Sequence, residues 1–457
     1  MHYHFIAIGG SAMHNLAIAL HLKGDQISGS DDEIFEPSRG RLKQHGLLPS
    51  ATGWFPERIH SGLDAVIAGM HARPDNPELR KARSLGLPVY SYPEFLYAHA
   101  KEKTRVVIGG SHGKTTITSM ILHVLQHHGI DTDYMVGAQL EGFDVMVKLT
   151  DDAGLMVMEG DEYPSGPTDP RPKFHVYKPH IAVISGISWD HINVFKTFES
   201  YLDQFRTFIH QIEQGGKLIF DDADQLVSRL CRNEAPENIS TIPYVIPRFS
   251  ISEGTTHVFT DDEAFPVHVF GRHNLLNLEA SRMVCQQLGV NNKAFFEAIQ
   301  SFRGASKRME MLYDDGNTLI IRDFAHAPSK LKATVKAVKE QYPERKLIAC
   351  MELHTYSSLS RKFMPQYRNS MEAADEAIVF FNPEALKLKR LPELIPEDVI
   401  EGFGKPGLQV VTQASKLDSL LQGHLEKNTC LLLMSSAAFG GLDIDGLIKE
   451  AKKKFEF

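Results

Sequence analysis

The sequence predicts an α/β protein of three domains built on mostly parallel sheets, and three observations carry that prediction. Short apolar runs rich in β-branched or bulky residues alternate with helix-length segments along the whole chain, the pattern of sheets covered by helices on both faces. The 457 residues exceed one domain and suggest roughly two to four. Glycine turns join strand-like runs to helical ones at Gly9-Gly10 and again at Gly109–Gly113, as nucleotide-binding α/β units do.

The elements follow in order. An apolar run from Phe5 to Ile8 meets the first glycine turn, a helical pattern spans Ser11 to Lys23, and Gly24 is placed to end it. QISGSDD, DAVIAG (64–69) and LPVYSY (87–92) continue the βα alternation. The charged segment 98–105, AHAKEKTR, is read as a joint between domains spanning 1–103 and 104–304. In the second domain VVIGG is a strand, KTTITSMILHVLQHHG a helix, and GLMVME (154–159), HIAVISGI (180–187) and KLIF (217–220) are strands. A helical pattern around Asn277–Leu288 closes it. In the third domain, 305–457, the strands are TLIIRDF (318–324), KLIACMEL (346–353), EAIVFF (376–381) and TCLLLMSS (429–436). The lysine-rich helix from Ser329 to Gln341 reads as a solvated face.

Composition narrows the function classes. Lysine and arginine number 49 against 57 acidic residues, a net charge of −8, which argues against a general affinity for nucleic acid or anionic membranes. Four scattered cysteines, Cys231, Cys285, Cys350 and Cys430, form no C-x-x-C pair and read as buried thiols. The opening MHYHFIAIGG lacks the basic region of a signal peptide, and no uncharged apolar run reaches the ~18 residues of a membrane span. A cytoplasmic protein is expected.

Six stretches carry chemistry. VVIGGSHGKTTITSM ends a strand in Gly113-Lys114-Thr115 and opens a helix, so backbone N–H groups can hold phosphate, Lys114 can reach terminal phosphates and Thr115 a Mg²⁺ ion. Ile108 stands where the longer phosphate-loop pattern wants its first glycine. VMEGDEYP, ~40 residues on, ends a strand in Glu159, Asp161 and Glu162, and one of these carboxylates near Thr115 completes a hard oxygen site. A solvated strand end is the alternative. ISWDHINVF places His191 after another strand, where ligands meet α/β sheets. GRHNLLNLEA puts Asn274 and Asn277 three apart on one helix face, suited to an adenine edge or to capping. FRGASKRMEML offers Arg308 as a phosphate clamp, and IIRDFAHAPSK places Asp323 and His326 after a strand.

Together these stretches resemble the Mur ligases, ATP-dependent amide-forming enzymes of peptidoglycan synthesis, over nearly the whole chain and in the same order. The family's short loop, G-[TS]-x-G-K-T, fits Gly110-Ser111-His112-Gly113-Lys114-Thr115, followed by Thr116. Glu159-Gly160-Asp161-Glu162, Asp190-His191, His273-Asn274-Leu275-Leu276-Asn277, Arg308-Met309-Glu310 and Asp323-Phe324-Ala325-His326-Ala327-Pro328 match its further motifs. The opening loop with its Ser30-Asp31 and the PDNPE of Pro74–Glu78 point to the muramate-using branch.

The resemblance implies a Rossmann-like UDP-sugar domain, a central P-loop ATPase-type domain and a Rossmann-like C-terminal domain that takes the acceptor. It implies that the lactyl carboxylate of UDP-N-acetylmuramate attacks the γ-phosphate of ATP and that an amine then attacks the acyl phosphate. Lys114, Glu159, His191, Arg308 and His326 would be catalytic; Thr115, Glu159 and His191 would hold Mg²⁺. The loop residues Gly110 to Thr116, Asn274 (adenine), Arg308 and Asp323 (ribose) would hold ATP. Gly9, Gly10, Ser11, Met13, Asp31, Asn76 and His354 would hold the other substrates. The ending MSSAAFGGLD, the GDEYP and MELHTYSS segments, and Thr355 in place of an arginine, lean to a tripeptide acceptor, L-alanyl-γ-D-glutamyl-meso-diaminopimelate, with L-alanine the alternative. An inactive nucleotide-binding relative and another ligase of the superfamily also remain open. A Rossmann oxidoreductase leaves Lys114-Thr115 unexplained. The chain departs from the family pattern at Ala7, Ala12, Gly186, Asn193, Arg322 and Ala327.

Overall fold

Short, continuously apolar runs, buried on both faces, build the main sheets. The structure, a computed structural model, describes residues 1–137, 143, 145–167, 169–188, 195–260, 263–304 and 308–455. Two compact units result: Met1–Ile246 with Leu276–Ala298, and Pro247–Leu275 with Ile299–Phe457.

The first unit opens with strands β1 (His2–Ile6), β2 (Gln26–Ser30), β3 (Ala65–Ala68) and β4 (Val89–Ser91) in the order β2-β1-β3-β4, all parallel. Phe5 and Ile67 pack on one face with Leu16, Leu20 and Phe95, while Ile6 and Val66 pack on the other with Leu79 and Ala82. β1 stops two residues short of the expected Ile8, because Ala7 takes φ +66° and turns the chain toward Gly9.

A second sheet in this unit contains β5 (Thr104–Gly109), β6 (Asp133–Met135), β7 (Val147–Lys148) and β8 (Leu155–Glu159). After the small antiparallel pair β9 (Pro164–Gly166) and β10 (Asp169–Pro172) come β11 (Ile181–Ile184), β12 (Lys217–Asp221) and β13 (Ser240–Tyr244). The sheet order is β13-β12-β11-β5-β8-β6-β7, parallel except for β7. Strand order reverses beside β5, the switch point at which such sheets bind ligands.

Segment 98–105 is knitted in rather than loose. Arg105 is 2% exposed and donates to the carbonyls of Ala100, Lys101, Lys103, Tyr177 and Lys178 and to Glu213. Asp133, fully buried on β6, accepts from His99 (2.9 Å), Lys103 (2.5 Å) and the N–H and hydroxyl of Thr150 (both 2.8 Å). Burial pushes its carboxyl up, but the bonds from His99, Lys103 and Thr150 outweigh that and hold it below its ordinary value. A carboxylate with a lowered folded pKa stabilises above its unfolded value, about pH 4, and loses that contribution as pH falls through the folded value. Asp133→Asn is therefore expected to cost about 3 kcal/mol at pH 7 and to flatten the acid limb of a stability–pH curve. Parallel curves for the two proteins below pH 4 would contradict this.

The second unit carries an antiparallel meander of β14 (Phe249–Ser252), β15 (Thr255–Thr260) and β16 (Glu263–Val267). Its main sheet uses β17 (Glu310–Asp314), β18 (Thr318–Asp323), β19 (Lys346–Leu353), β20 (Glu376–Phe381), β21 (Gln409–Val411) and β22 (Thr429–Met434). The order is β17-β18-β22-β19-β20-β21, with only β17 antiparallel. Leu319, Ile321, Leu347, Ala349 and Met351 face one core and Ile320, Ile348 and Cys350 the other, so helices cover both faces. All four cysteines are free and buried, as expected, and burial raises each thiol's pKa. Among the described residues, no helix is long and apolar enough to cross a membrane.

Candidate active site

The phosphate loop connects β5 to the helix Lys114–His127. Ile108 is fully buried within β5, paired with Val183 on one side and Glu159 on the other, so the missing glycine belongs to the strand. The turn itself rests on Gly110 and Gly113, at φ +125° and +79°. A Cβ on Gly110 would lie 2.5 Å from Ser185 Oγ, and one on Gly113 would overlap Asn277 Oδ1. No other residue fits either place, and the helix N-terminus is left open to an anion.

Around this loop the strand ends supply charge. Lys114 Nζ donates to the Gly110 carbonyl (2.5 Å) and to Glu162 Oε2 (3.1 Å). Glu162 is 1% exposed and also accepts from Tyr201, whose hydroxyl meets Ser111 Oγ at 2.9 Å. Ser111 in turn donates to the Ser188 carbonyl and accepts its N–H, while Ser185 Oγ donates to the His112 carbonyl. Glu159, the last residue of β8, accepts from Thr115 Oγ1 at 3.2 Å and from Gly137 N at 2.9 Å. Thr115 and Glu159 thus bring two hard oxygen donors together, which fits a Mg²⁺ ion whose remaining ligands come from phosphate and water. Among the described residues, no group of three metal-binding side chains forms by itself. Asp161 turns away and pairs with Lys173 at 2.7 Å. His191, Asp190 and Asn193 lie outside the described residues. The sequence named Glu162 only as one of three acids; its pairing with Lys114, and the Ser111–Tyr201 support, depend on loop geometry that no motif encodes.

In the second unit, Asp323 ends β18 and is buried. Its Oδ2 accepts from Met309 N (2.7 Å) and its Oδ1 from Ala325 N (2.8 Å) and Thr334 Oγ1 (3.2 Å). It therefore fixes the turns carrying both Arg308 and His326. Arg308 lies over the Phe324 ring at 4.6 Å, and His326 Nδ1 is 2.9 Å from the Phe324 carbonyl. Arg322, a departure from the family pattern, stands opposite Glu310 across β17–β18 and bonds it at 2.7 and 3.1 Å. Asn274 sits in the first turn of the helix Arg272–Gln287 and donates to the Phe270 carbonyl at 3.2 Å. His354 follows β19 directly.

At the N-terminal sheet, Asp31 Oδ2 accepts the Gly9 N–H at 2.7 Å and so fixes the first glycine turn ahead of Gly10, Ser11 and Met13. Burial raises the pKa of its carboxyl, against the bond from Gly9. Asn76 caps the helix Pro77–Ser84 through the N–H groups of Glu78 and Leu79. It also lines a cavity of about 590 Å³ with Asp32, Trp54, Met70, His71 and Arg73, beyond the carboxyl ends of β2 and β3. Nothing in the sequence pattern had singled out Trp54 or Arg73. A separate cavity of about 480 Å³ near Leu122, Leu125 and Tyr134 opens at the other end of the helix Lys114–His127 and shares no residue with the loop.

A doubly bounded glycine loop with a lysine, a threonine and a carboxylate at the C-terminal edge of a parallel sheet defines a nucleotide-using α/β enzyme. Three family profiles match in succession: Mur ligase family, catalytic domain over residues 2–104, Mur ligase middle domain over 108–285, and Mur ligase, glutamate ligase domain over 307–437. The chain belongs to the Mur ligase family and is an ATP-dependent ligase.

Among relatives, a UDP-N-acetylmuramate–L-alanine ligase of Levilactobacillus brevis is 33% identical, with 82% of each chain covered. One of Lactiplantibacillus plantarum is 32% identical over 82% of this chain and 84% of its own. Among solved structures, UDP-N-acetylmuramate–alanine ligase of Thermotoga maritima superposes with a TM-score of 0.70 at 21% identity, covering 100% of this chain and 99% of that one. A murein peptide ligase from Psychrobacter arcticus gives 0.63 at 22%, covering 99% and 98%. At these identities the structural likenesses speak to the fold alone.

Proposed function

We propose that the protein joins the lactyl carboxylate of UDP-N-acetylmuramate to the amine of L-alanine, with cleavage of ATP to ADP and phosphate. The observation that carries the acceptor is the name shared by relatives at 31–33% identity over 82% of the chain, all UDP-N-acetylmuramate–L-alanine ligases. The MSSAAFGGLD ending, the GDEYP and MELHTYSS segments and Thr355 lean to a tripeptide, but these three relatives favour L-alanine. Residues 1–103 would hold the nucleotide sugar, 104–304 ATP, and 305–457 the acceptor.

The reading assigns each group a task. The glycine loop and helix N-terminus cradle phosphate through backbone N–H groups, and Lys114 exchanges its Glu162 partner for the terminal phosphates. Thr115 Oγ1 and Glu159 would hold Mg²⁺, which supplies charge neutralisation between phosphates when bound. Arg308, poised over Phe324, would clamp phosphate, with His326 beside it. Asn274 would meet adenine. Asp323 uses three of its roughly four acceptor sites on its own chain, leaving one for a ribose hydroxyl. The carboxylate attacks phosphorus, ADP leaves, the amine attacks the acyl carbon, and phosphate departs with formation of the amide. The cavity near Trp54 and Arg73 suits the uridine and diphosphate of the sugar substrate. A reaction fed by ATP and a nucleotide sugar belongs in the cytoplasm.

Phosphate release with ATP, Mg²⁺ and UDP-N-acetylmuramate, compared between L-alanine and the tripeptide, tests the acceptor. Alanine is expected to support turnover; turnover with the tripeptide alone would overturn the assignment.

A further inference from the structure

Glu352 is the next-to-last residue of β19 and is 3% exposed. Its Oε2 accepts two hydrogen bonds, from Ser435 Oγ at 2.5 Å and from Phe439 N at 2.6 Å. Both donors sit in the loop after β22, where Phe439, Gly440 and Gly441 take successive φ values of +50°, +65° and +91°. Ser435 N reaches back to the Asp323 carbonyl at 3.0 Å. The loop is thereby pinned across the carboxyl ends of β18, β22 and β19, the edge at which parallel sheets present ligand sites.

The second oxygen of Glu352 is different. Among the described residues Oε1 accepts no hydrogen bond, and it is not among the polar atoms sealed from solvent. No lysine, arginine or histidine among the described residues forms an ion pair with this carboxylate, although other deeply buried acids, such as Glu162 and Asp133, each hold a lysine. A buried acid without a cation is costly, and the cost is offset when a ligand brings the cation.

We infer that Glu352 binds the ammonium group of the incoming acceptor through Oε1, while Oε2 fixes the loop that frames it. This rests on the reading that the C-terminal unit takes the acceptor. The acceptor enters as an ammonium at neutral pH, and a fixed carboxylate holds its nitrogen by a charge-assisted bond. The same charge repels phosphate, so the site discriminates the amine substrate from the nucleotide.

Glu352→Gln separates the two tasks, because the amide oxygen still accepts from Ser435 and Phe439 but carries no charge. With ATP and UDP-N-acetylmuramate saturating, the full-length variant is expected to show a ~10- to 100-fold higher KM for L-alanine. The KM values of the other two substrates and the unfolding midpoint stay at wild-type values. Hydroxylamine, an uncharged nucleophile at neutral pH, should trap the acyl phosphate as hydroxamate at the wild-type rate in the variant. An unchanged alanine KM, or an equal loss with hydroxylamine, would overturn the assignment and reduce Glu352 to a loop anchor. Failure of the wild-type protein itself to form hydroxamate would overturn the acyl-phosphate reading, and this inference with it.

Discussion

Replacing Lys114 by alanine is expected to lower ATP-dependent amide formation at least ~10³-fold, the scale on which one fixed charge acts on a transferring phosphoryl group. Lys114 opens the helix after the glycine loop, and its ammonium already lies on the Gly110 carbonyl, at the mouth of the turn. The substitution also strands Glu162, a carboxylate 1% exposed whose cationic partner is Lys114. A loss of stability therefore accompanies the loss of activity, and the two must be separated. Lys114→Ala combined with Glu162→Gln removes the stranded charge and is expected to recover stability without recovering activity. Amide formation by either variant within ~10-fold of wild type would remove Lys114 from the chemistry.

Arg105→Ala is expected to cost about 3–5 kcal/mol in chemical denaturation, since five carbonyls lose a charged donor together. The residue is the second of the strand that carries the phosphate loop, and its guanidinium gathers the carbonyls of Ala100, Lys101 and Lys103 just before that strand with those of Tyr177 and Lys178. Arg105→Lys is expected to recover less than half of the loss, because one ammonium has three donors and cannot span five acceptors. Full recovery by lysine would show that charge, not the planar fork, is what this position needs.

The residues that make the sheets announced themselves where both faces are buried. KLIACMEL and EAIVFF form strands with the predicted ends, Lys346–Leu353 and Glu376–Phe381, because every second residue has a separate core to enter. The meander of β14 to β16 was not anticipated. Its first strand, FSIS (249–252), alternates between partly buried and exposed residues, and its pairing with β15 depends on a turn at Glu253-Gly254 rather than on an apolar run. β6 and β9, three residues each, are too short to show a period.

The candidate site divides the same way. Gly110, Lys114, Thr115 and Glu159 could be placed from spacing, since a loop between a strand and a helix fixes where each backbone goes. Lys114 bonded to Glu162, Arg322 answering Glu310, and Asp323 reaching Met309 and Thr334 as well as its neighbour Ala325 depend on how separate elements meet. Arg322, a departure in the motif, becomes intelligible once β17 is seen to run antiparallel beside it.

The central claim is that a carboxylate is activated by phosphoryl transfer from ATP. Oxygen-18 in the lactyl carboxylate of UDP-N-acetylmuramate tests it most directly, with the released phosphate analysed by mass spectrometry during turnover with L-alanine. One labelled oxygen in each phosphate is the predicted result, because the acyl phosphate passes that atom on when the amine attacks carbon. Phosphate carrying no label, with the displaced labelled oxygen appearing in water instead, would contradict the account.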